Sequence, residues 1–191
     1  MVNQFFTKTK KSLYLSSDQI TSSLTKMYKL PPSFWKLSLS SQNNATKHNL
    51  CSIYTINQSV IATIIQVKSD LYEGKINNSR LYYESDLQVV DVIVNIYSQF
   101  SKKETNITMS DTNKLKEKIL EQTNYLYSCI EHFPEDIATN IKARPSIISK
   151  VSLDYYQLIY LAFTHAQSQL NSIELVKSLS KLTEKSNALL N

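Results

Sequence analysis

Histidine and cysteine, which often bind metals in proteins, are few in this sequence and form no recognisable ligand set. None of His48, His132 and His165 has a glutamate three residues before it, so the Glu-x-x-His spacing of di-iron bundles is absent. Cys129 and His132 have the spacing of a ligand pair, but no second pair completes a zinc site. We therefore predict no metal centre, and we expect Cys129 to be a core thiol and His132 to lie at a helix end.

Patterns that support nucleophilic or phosphate chemistry are also missing. The sequence Ser-x-x-Lys occurs at 33–36 and 178–181, but this pattern arises by chance in a chain rich in serine and lysine. Nucleophile elbows, oxyanion loops and phosphate-binding loops need glycine where the backbone turns sharply or approaches a ligand, and the only glycine is Gly74. We predict that the protein is not an enzyme and that it uses no cofactor.

The shortage of glycine also predicts the fold class. The chain has 191 residues, of which 42% are hydrophobic, and this is enough to bury the core of one domain. Hairpin turns need glycine where φ is positive, whereas helices need it only at their ends. A single glycine in a chain of this length therefore predicts an all-α protein.

Apolar residues at three- and four-residue spacing predict the individual helices. The strongest run extends from Leu50 to Leu71, and Gly74 falls just beyond it, where a helix C-cap requires positive φ. A β-branched run at 89–94 would also suit a strand, but the length of the pattern around it favours a helix. The other helices are predicted over about 18–29, 78–100, 110–133, 152–170 and 175–189.

The net charge of +5 is concentrated near the N-terminus. Residues 1–50 contain seven lysines and one acidic residue, Asp18, whereas the rest of the chain is close to neutral. We predict an irregular basic arm over residues 1–17, followed by a helical domain over residues 18–191. The predicted basic surface consists of Lys8, Lys10, Lys11, Lys26 and Lys29.

This basic surface suits peripheral association with an anionic membrane, since lysines near anionic lipids are attracted to them. Nucleic acid is the disfavoured partner, because arginine is the residue that reads phosphate and guanine in a bidentate manner and the chain has only Arg80 and Arg144.

No stretch approaches the roughly 18–20 uninterrupted apolar residues of a membrane span. Residues 1–15 lack the apolar core of a secretory signal. Cys51 and Cys129 are too few for a disulfide framework and are expected to be buried thiols in a reducing compartment. We expect a cytoplasmic protein, recruited to the endosome or the plasma membrane.

Several of the predicted helices resemble those of BRO-type (ALIX-like) domains. Residues 49–57 (NLCSIYTIN), continuing through 60–65 (VIATII), resemble the family helix whose apolar run packs in an array of helical hairpins. Residues 156–167 (YQLIYLAFTHAQ) resemble the aliphatic helix that ends in Ala-Gln, and residues 175–182 (LVKSLSKL) are similar to the next helix. The similarity spans residues 46–190, and the PalC-like branch of fungal ambient-pH signalling proteins looks closest.

The resemblance implies both a fold and a function. The fold would be a curved, tetratricopeptide-like array of antiparallel helical hairpins, of which this chain holds the N-terminal half. The function would be that of a non-enzymatic adaptor, which binds the C-terminal amphipathic helix of an ESCRT-III subunit and links endosomal sorting to pH-response signalling. The apolar contact patch of the family would fall on Leu170, Leu175 and Leu179.

Two alternatives follow from the residues alone. One is a helical scaffold subunit of an unrelated complex, in which a leucine stripe at 175, 179, 182 and 189 pairs as a coiled coil. The other is a lysine-rich helical domain that binds a membrane or nucleic acid. Because the leucine stripe runs to the last residue without a capping signal, we also expect the chain to be part of a longer protein.

Overall fold

Four α-helices make up most of the described part of the chain. The computed structural model describes residues 2–30, 45–74, 82–84, 109–132, 138, 142–144 and 153–189. The helices are α1 (Val2–Tyr28), α2 (Ala45–Tyr72), α3 (Met109–His132) and α4 (Tyr155–Leu189). Three short strands, β1 (Tyr82–Glu84), β2 (Lys142–Arg144) and β3 (Leu153–Asp154), form a small sheet. The predicted all-α character is confirmed.

Helix α1 corrects the prediction of an irregular arm, because residues 2–17 belong to one continuous helix that ends at Tyr28. The buried residues Leu13 and Ser17 extend the predicted apolar stripe toward the N-terminus at three- and four-residue spacing. Ser17 is polar and therefore interrupts the apolar periodicity of this segment in the sequence, although its small side chain is buried in the core. No glycine or proline interrupts the segment, so the helix continues through it.

The end of α2 has the predicted glycine. Gly74 has a φ of 69°, and its N–H donates to the carbonyl of Leu71 at 3.1 Å. A Cβ at this position would meet nothing within 4 Å, so the backbone conformation and not the space selects glycine. The predicted C-cap is therefore confirmed.

The helix predicted over 78–100 is wrong at Tyr82–Glu84, which is strand β1. The remainder of that segment lies outside the described residues. Strand β1 pairs in parallel with β2, with Tyr82 opposite Lys142, and β2 pairs antiparallel with β3, with Ala143 opposite Leu153. The sheet thus ties a segment after α2 to the residues just before α4.

Helix α4 begins at a capping box and continues without a break. Asp154 Oδ1 accepts the N–H of Gln157 at 2.8 Å, and Gln157 Oε1 accepts the N–H of Asp154 at 2.9 Å. The two helices predicted over 152–170 and 175–189 are a single helix of 35 residues, because no glycine or proline separates them.

The helices pack around one core to which all four contribute. Both α1 and α2 pack extensively against α3 and against α4, whereas α1 and α2 are not an extensively packed pair. Each helix therefore buries one face between two neighbours of the other pair. Fully buried side chains of the core include Leu13, Ile20, Leu24, Ile53, Ile64, Ile119, Leu126, Ile159 and Phe163.

Side-chain contacts show that α1 runs parallel to α4 and that α2 runs parallel to α3. In each pair, residues further along one helix contact residues further along the other. These contacts join Lys10 to Tyr156, Gln19 to Gln167, Tyr54 to Lys118, and Lys68 to Tyr125. Parallel neighbours need a long crossover, and residues 73–108 are long enough to provide one between α2 and α3. The described consecutive helices therefore do not pack as the extensive antiparallel hairpins that the resemblance implies.

Among the described residues, one helical stretch, His48–Tyr72 of α2, is long and apolar enough to cross a membrane, with a mean hydropathy of 1.3. Within the fold, 67% of its apolar window is buried. The core helix of a bundle passes the same test of length and composition, so this stretch is weak evidence for a membrane span.

Asn57 lies in the buried middle of α2 and provides a test of the core. Its side chain is fully buried, and neither Oδ1 nor Nδ2 has a hydrogen-bond partner among the described residues. Leucine has the same branched shape without the polar atoms. We expect Asn57→Leu to raise the free energy of unfolding by about 1–2 kcal/mol, because it removes unsatisfied polar atoms from the core. Urea denaturation followed by circular dichroism measures this change.

The half-buried Asn49 on the same helix provides the matched control. We expect Asn49→Leu to change the free energy of unfolding by no more than about 0.5 kcal/mol. If Asn57→Leu instead destabilises the fold, the amide of Asn57 is satisfied in solution and the prediction is wrong.

Candidate functional site

The three leucines of the predicted partner-binding patch all belong to α4, but their environments differ. Leu170 is 2% exposed and packs in the core with Ile173. Its side chain is therefore not on the surface, where a partner-binding residue has to lie. Leu175 is 61% exposed. The side chain of Leu179 lies outside the described part of the structure. Of the described members, only Leu175 is available to a partner.

Helical geometry explains why Leu170 and Leu175 separate. Five residues correspond to about 500° of rotation, which places these two side chains about 140° apart around the helix axis. Leu175 lies on the outer stripe of α4, whose other exposed residues are Gln157, Tyr160, Thr164, Ser168, Asn171 and Ser178. Apart from Tyr160, the other residues of this stripe are polar, so Leu175 is its one exposed aliphatic residue among the described side chains.

The C-terminal part of α4 extends beyond the neighbouring helix α1. Because Gln19 contacts Gln167 and the two helices are parallel, the end of α1 at Tyr28 is level with about residue 176 of α4. Helix α4 continues to Leu189, which is about 20 Å further along its axis. Leu175 therefore lies where α4 begins to extend past α1.

The predicted basic residues lie on α1 and form an ordered ridge where the structure describes their side chains. Lys11, Lys26 and Lys29 are exposed. Lys10 is half-buried, and its Nζ lies 6.0 Å from the ring centroid of Tyr156. The side chain of Lys8 lies outside the described part. The helix thus presents three of the five lysines on a rigid surface, and Lys10 contributes to packing against α4.

Ser52 and His165 form a polar contact between α2 and α4 that sequence analysis missed. Ser52 Oγ lies 2.9 Å from His165 Nε2, and both side chains are half-buried. Burial lowers the pKa of His165, which favours the neutral imidazole as acceptor of the serine hydroxyl proton.

A serine beside a neutral imidazole is the start of a nucleophilic site. Both residues are inside long helices, where the backbone N–H groups bond within the helix and cannot form an oxyanion hole. We therefore interpret this pair as a polar tie that fixes α2 against α4. The two residues are 113 positions apart in sequence, so no local pattern could have found the contact.

A second polar cluster joins α2, α3 and the start of α4. Lys68 Nζ donates to Cys129 Sγ at 3.6 Å and lies 5.9 Å from the ring centroid of Tyr125. Burial, and next the nearby Cys129, raise the pKa of Tyr125 to about 12. The same two causes raise the pKa of Tyr155, so both phenols stay protonated. The structure thus surrounds the Cys129 thiol with an ammonium group and two phenols.

The two thiols agree with the sequence prediction, since Cys51 and Cys129 are both buried and free of disulfides. His132 is exposed in the last turn of α3, and its Nδ1 lies 2.7 Å from the carbonyl oxygen of Ser128. Within the described ranges, no three His, Cys, Asp or Glu side chains are grouped closely enough to hold a metal ion.

Lys116 on α3 is the largest departure from a simple apolar core. Its side chain is 1% exposed, and burial lowers its pKa to about 8. Six residues further along α3, Gln122 Nε2 donates to the Tyr54 carbonyl at 3.3 Å and to Gln58 Oε1 at 2.9 Å. These polar groups lie on the face of α3 that packs into the bundle, so we assign them a structural role and not a catalytic one.

Comparison of the chain with models of protein families, with curated protein sequences and with solved structures gives no match. The resemblance to BRO-type domains therefore stands on the residues that carry it. Function has to be inferred from the surfaces and contacts of the chain itself.

Proposed function

We propose that this chain is a non-enzymatic helical adaptor that binds an amphipathic helix of a partner protein along the C-terminal half of α4. The observation that carries the proposal is the 61% exposure of Leu175, at the point where α4 extends past α1. An exposed leucine on a rigid helix is suited to fill a gap between the side chains of a second helix.

The continuation of α4 supports the same proposal. A helical segment of about 13 residues is marginal in water on its own, so packing against another helix would stabilise it. The sequence places leucines at 175, 179, 182 and 189, a spacing that brings them to one stripe of a continuous helix. Binding energy in such interfaces is concentrated in a few apolar anchors, of which Leu175 would be the first.

Following the resemblance to BRO-type domains, the proposed partner is the C-terminal amphipathic helix of an ESCRT-III subunit. The adaptor would then link endosomal sorting to components of pH-response signalling. The lysine ridge of α1 fits the accompanying proposal of a cytoplasmic protein recruited to an anionic membrane. The curved hairpin array of the family stays a prediction from the resemblance, and the helix directions of the described bundle do not reproduce it.

Binding of a fluorescently labelled ESCRT-III C-terminal helix, measured by anisotropy, tests the proposal. We expect Leu175→Asp to weaken binding at least tenfold, because a carboxylate cannot be desolvated in an apolar contact without a large free-energy cost. The matched control is Ile65→Asp on α2, since Ile65 is 51% exposed and lies on a different helix. This control should bind as the parent chain does.

Two results would contradict the proposal. One is that the parent chain does not bind the peptide at all. The other is that Leu175→Asp and Ile65→Asp weaken binding equally, which would make the contact nonspecific.

A second candidate function is a scaffold subunit in which the leucine stripe of α4 pairs as a coiled coil. The alternating four- and three-residue spacing on one continuous helix favours it. Light scattering of the purified chain separates the two, because the scaffold reading predicts self-association that Leu175→Asp weakens. A chain that is monomeric at high concentration retains only the first candidate.

A further inference from the structure

The Cys129 thiol and the Lys68 ammonium group form a reactive pair that the adaptor function does not use. Their Sγ and Nζ atoms are 3.6 Å apart, and this contact joins two parallel helices, α2 and α3. The thiol is 1% exposed, whereas Lys68 is half-buried at the edge of the core. The sulfur is therefore shielded from bulky thiols while an amine lies directly beside it.

Oxidation gives this pair a specific outcome. A cysteine sulfur that attacks hydrogen peroxide breaks the O–O bond and becomes a sulfenic acid, which condenses with a neighbouring nucleophile if one is in reach. Glutathione-sized thiols cannot approach a sulfur that is enclosed by helices, so the usual mixed disulfide is hindered. The lysine side chain has a flexible four-carbon stem, and its nitrogen has to move by only about 2 Å to bond to the sulfur.

We propose that hydrogen peroxide converts Lys68 and Cys129 into a covalent sulfur–nitrogen link between α2 and α3. In the first step the Cys129 thiol takes one oxygen from hydrogen peroxide, which gives the sulfenic acid and one water. In the second step the Lys68 ammonium group first releases one proton to water, and the resulting amine attacks Sγ. The S–O bond breaks, and the hydroxide leaves as water with a second proton from the nitrogen. The sulfur is oxidised and the peroxide is reduced, and the protein loses two hydrogen atoms.

The phenols of the cluster support the second step. Tyr155 lies against the thiol with its hydroxyl protonated, so it can donate a hydrogen bond to the departing oxygen. Tyr125 lies under the lysine ammonium, where its ring holds the nitrogen close to the sulfur. The link would close one end of the α2–α3 pair with a bond that reductants reverse.

Mass spectrometry of the full chain tests this proposal. The protein is treated with hydrogen peroxide, excess oxidant is removed with catalase, free thiols are alkylated, and the digest is searched for linked peptides. We expect one linked species that contains Lys68 and Cys129, lacks two hydrogen atoms, and separates on treatment with dithiothreitol.

Matched variants distinguish the link from general oxidation. Lys68→Arg keeps the positive charge without a nucleophilic amine, and Cys129→Ser removes the sulfur, so neither should give the linked species. Cys51→Ser removes the other buried thiol and should leave the link unchanged. The proposal fails if Cys129 is oxidised to the sulfinic acid without a link, if Cys129 of the folded chain does not react, or if Lys68→Arg gives the same masses as the parent.

Discussion

Replacement of Lys116 by methionine is expected to stabilise the protein at pH 7 by about 2 kcal/mol, although it removes a charged group. The Lys116 side chain is 1% exposed, and its pKa is lowered to about 8 by burial. The nearby Glu117 favours the charged form and does not outweigh the loss of hydration. Methionine fills the same elongated space without a charge to desolvate.

The pH dependence gives this prediction its sign. The pKa of Lys116 is lowered in the fold relative to the ordinary value of 10.5, so the unfolded chain binds more protons between pH 8 and pH 10.5. The stability contributed by Lys116 is therefore present above pH 10.5 and is lost as the pH falls toward 8. The advantage of Lys116→Met should be fully present at pH 7 and should shrink as the pH rises toward 10.

Chemical denaturation at pH 7 and pH 9.5 measures both effects. Lys114 is exposed on the same helix, two residues away, so Lys114→Met is the matched control and should change stability by no more than about 0.5 kcal/mol at either pH. A Lys116→Met variant that is less stable than the parent at pH 7 would show that the ammonium group gains more from its surroundings than it loses by burial.

The spacing of Lys116 fits the buried face of α3, whereas its charge argues against burial. It follows Thr112 by four residues and precedes Ile119 by three, and both of these are buried in the fold. Its spacing from these two residues is that of one helix face, but a lysine is rarely assigned to a core. Ser17 on α1 is also a polar residue at a buried position. It interrupts the apolar stripe in the sequence, but its small side chain does not disturb the packing of the helix.

Local signals were sufficient where the structure is local. Gly74 ends α2 because the backbone has a positive φ there, and a single glycine is enough to predict such a position. The capping box of Asp154 and Gln157 was equally local, and it would have placed the start of α4 more accurately than Ser152 did.

The polar contacts between helices could not be predicted from the sequence, and the reason is physical. Ser52 contacts His165, and Lys68 contacts Cys129, only because of the order and directions in which the helices pack. Those choices depend on packing of the whole core, and the parallel order of α2 and α3 is not encoded by any short pattern. The chemistry of the Lys68–Cys129 pair was therefore invisible until the fold was known.

The leucines of α4 give the second large prediction. Leu170→Ala should lower the free energy of unfolding by about 2–5 kcal/mol, because it removes buried methyl groups and leaves a cavity among the core residues. Leu175→Ala should change it by no more than about 0.5 kcal/mol, since that side chain is 61% exposed and leaves no cavity. Urea denaturation followed by circular dichroism gives both values on the same helix with the same substitution.

The contrast between the two variants decides what the leucine patch is. A large loss for Leu170→Ala alone means that this residue holds α4 to the bundle, which leaves Leu175 as the docking residue. Comparable losses for both would mean that Leu175 is covered in the native protein, and the proposed adaptor surface would lose its anchor. A tolerated Leu170→Ala would mean that the inner face of α4 is not packed as described, because a leucine enclosed on all sides cannot be truncated without a free-energy cost.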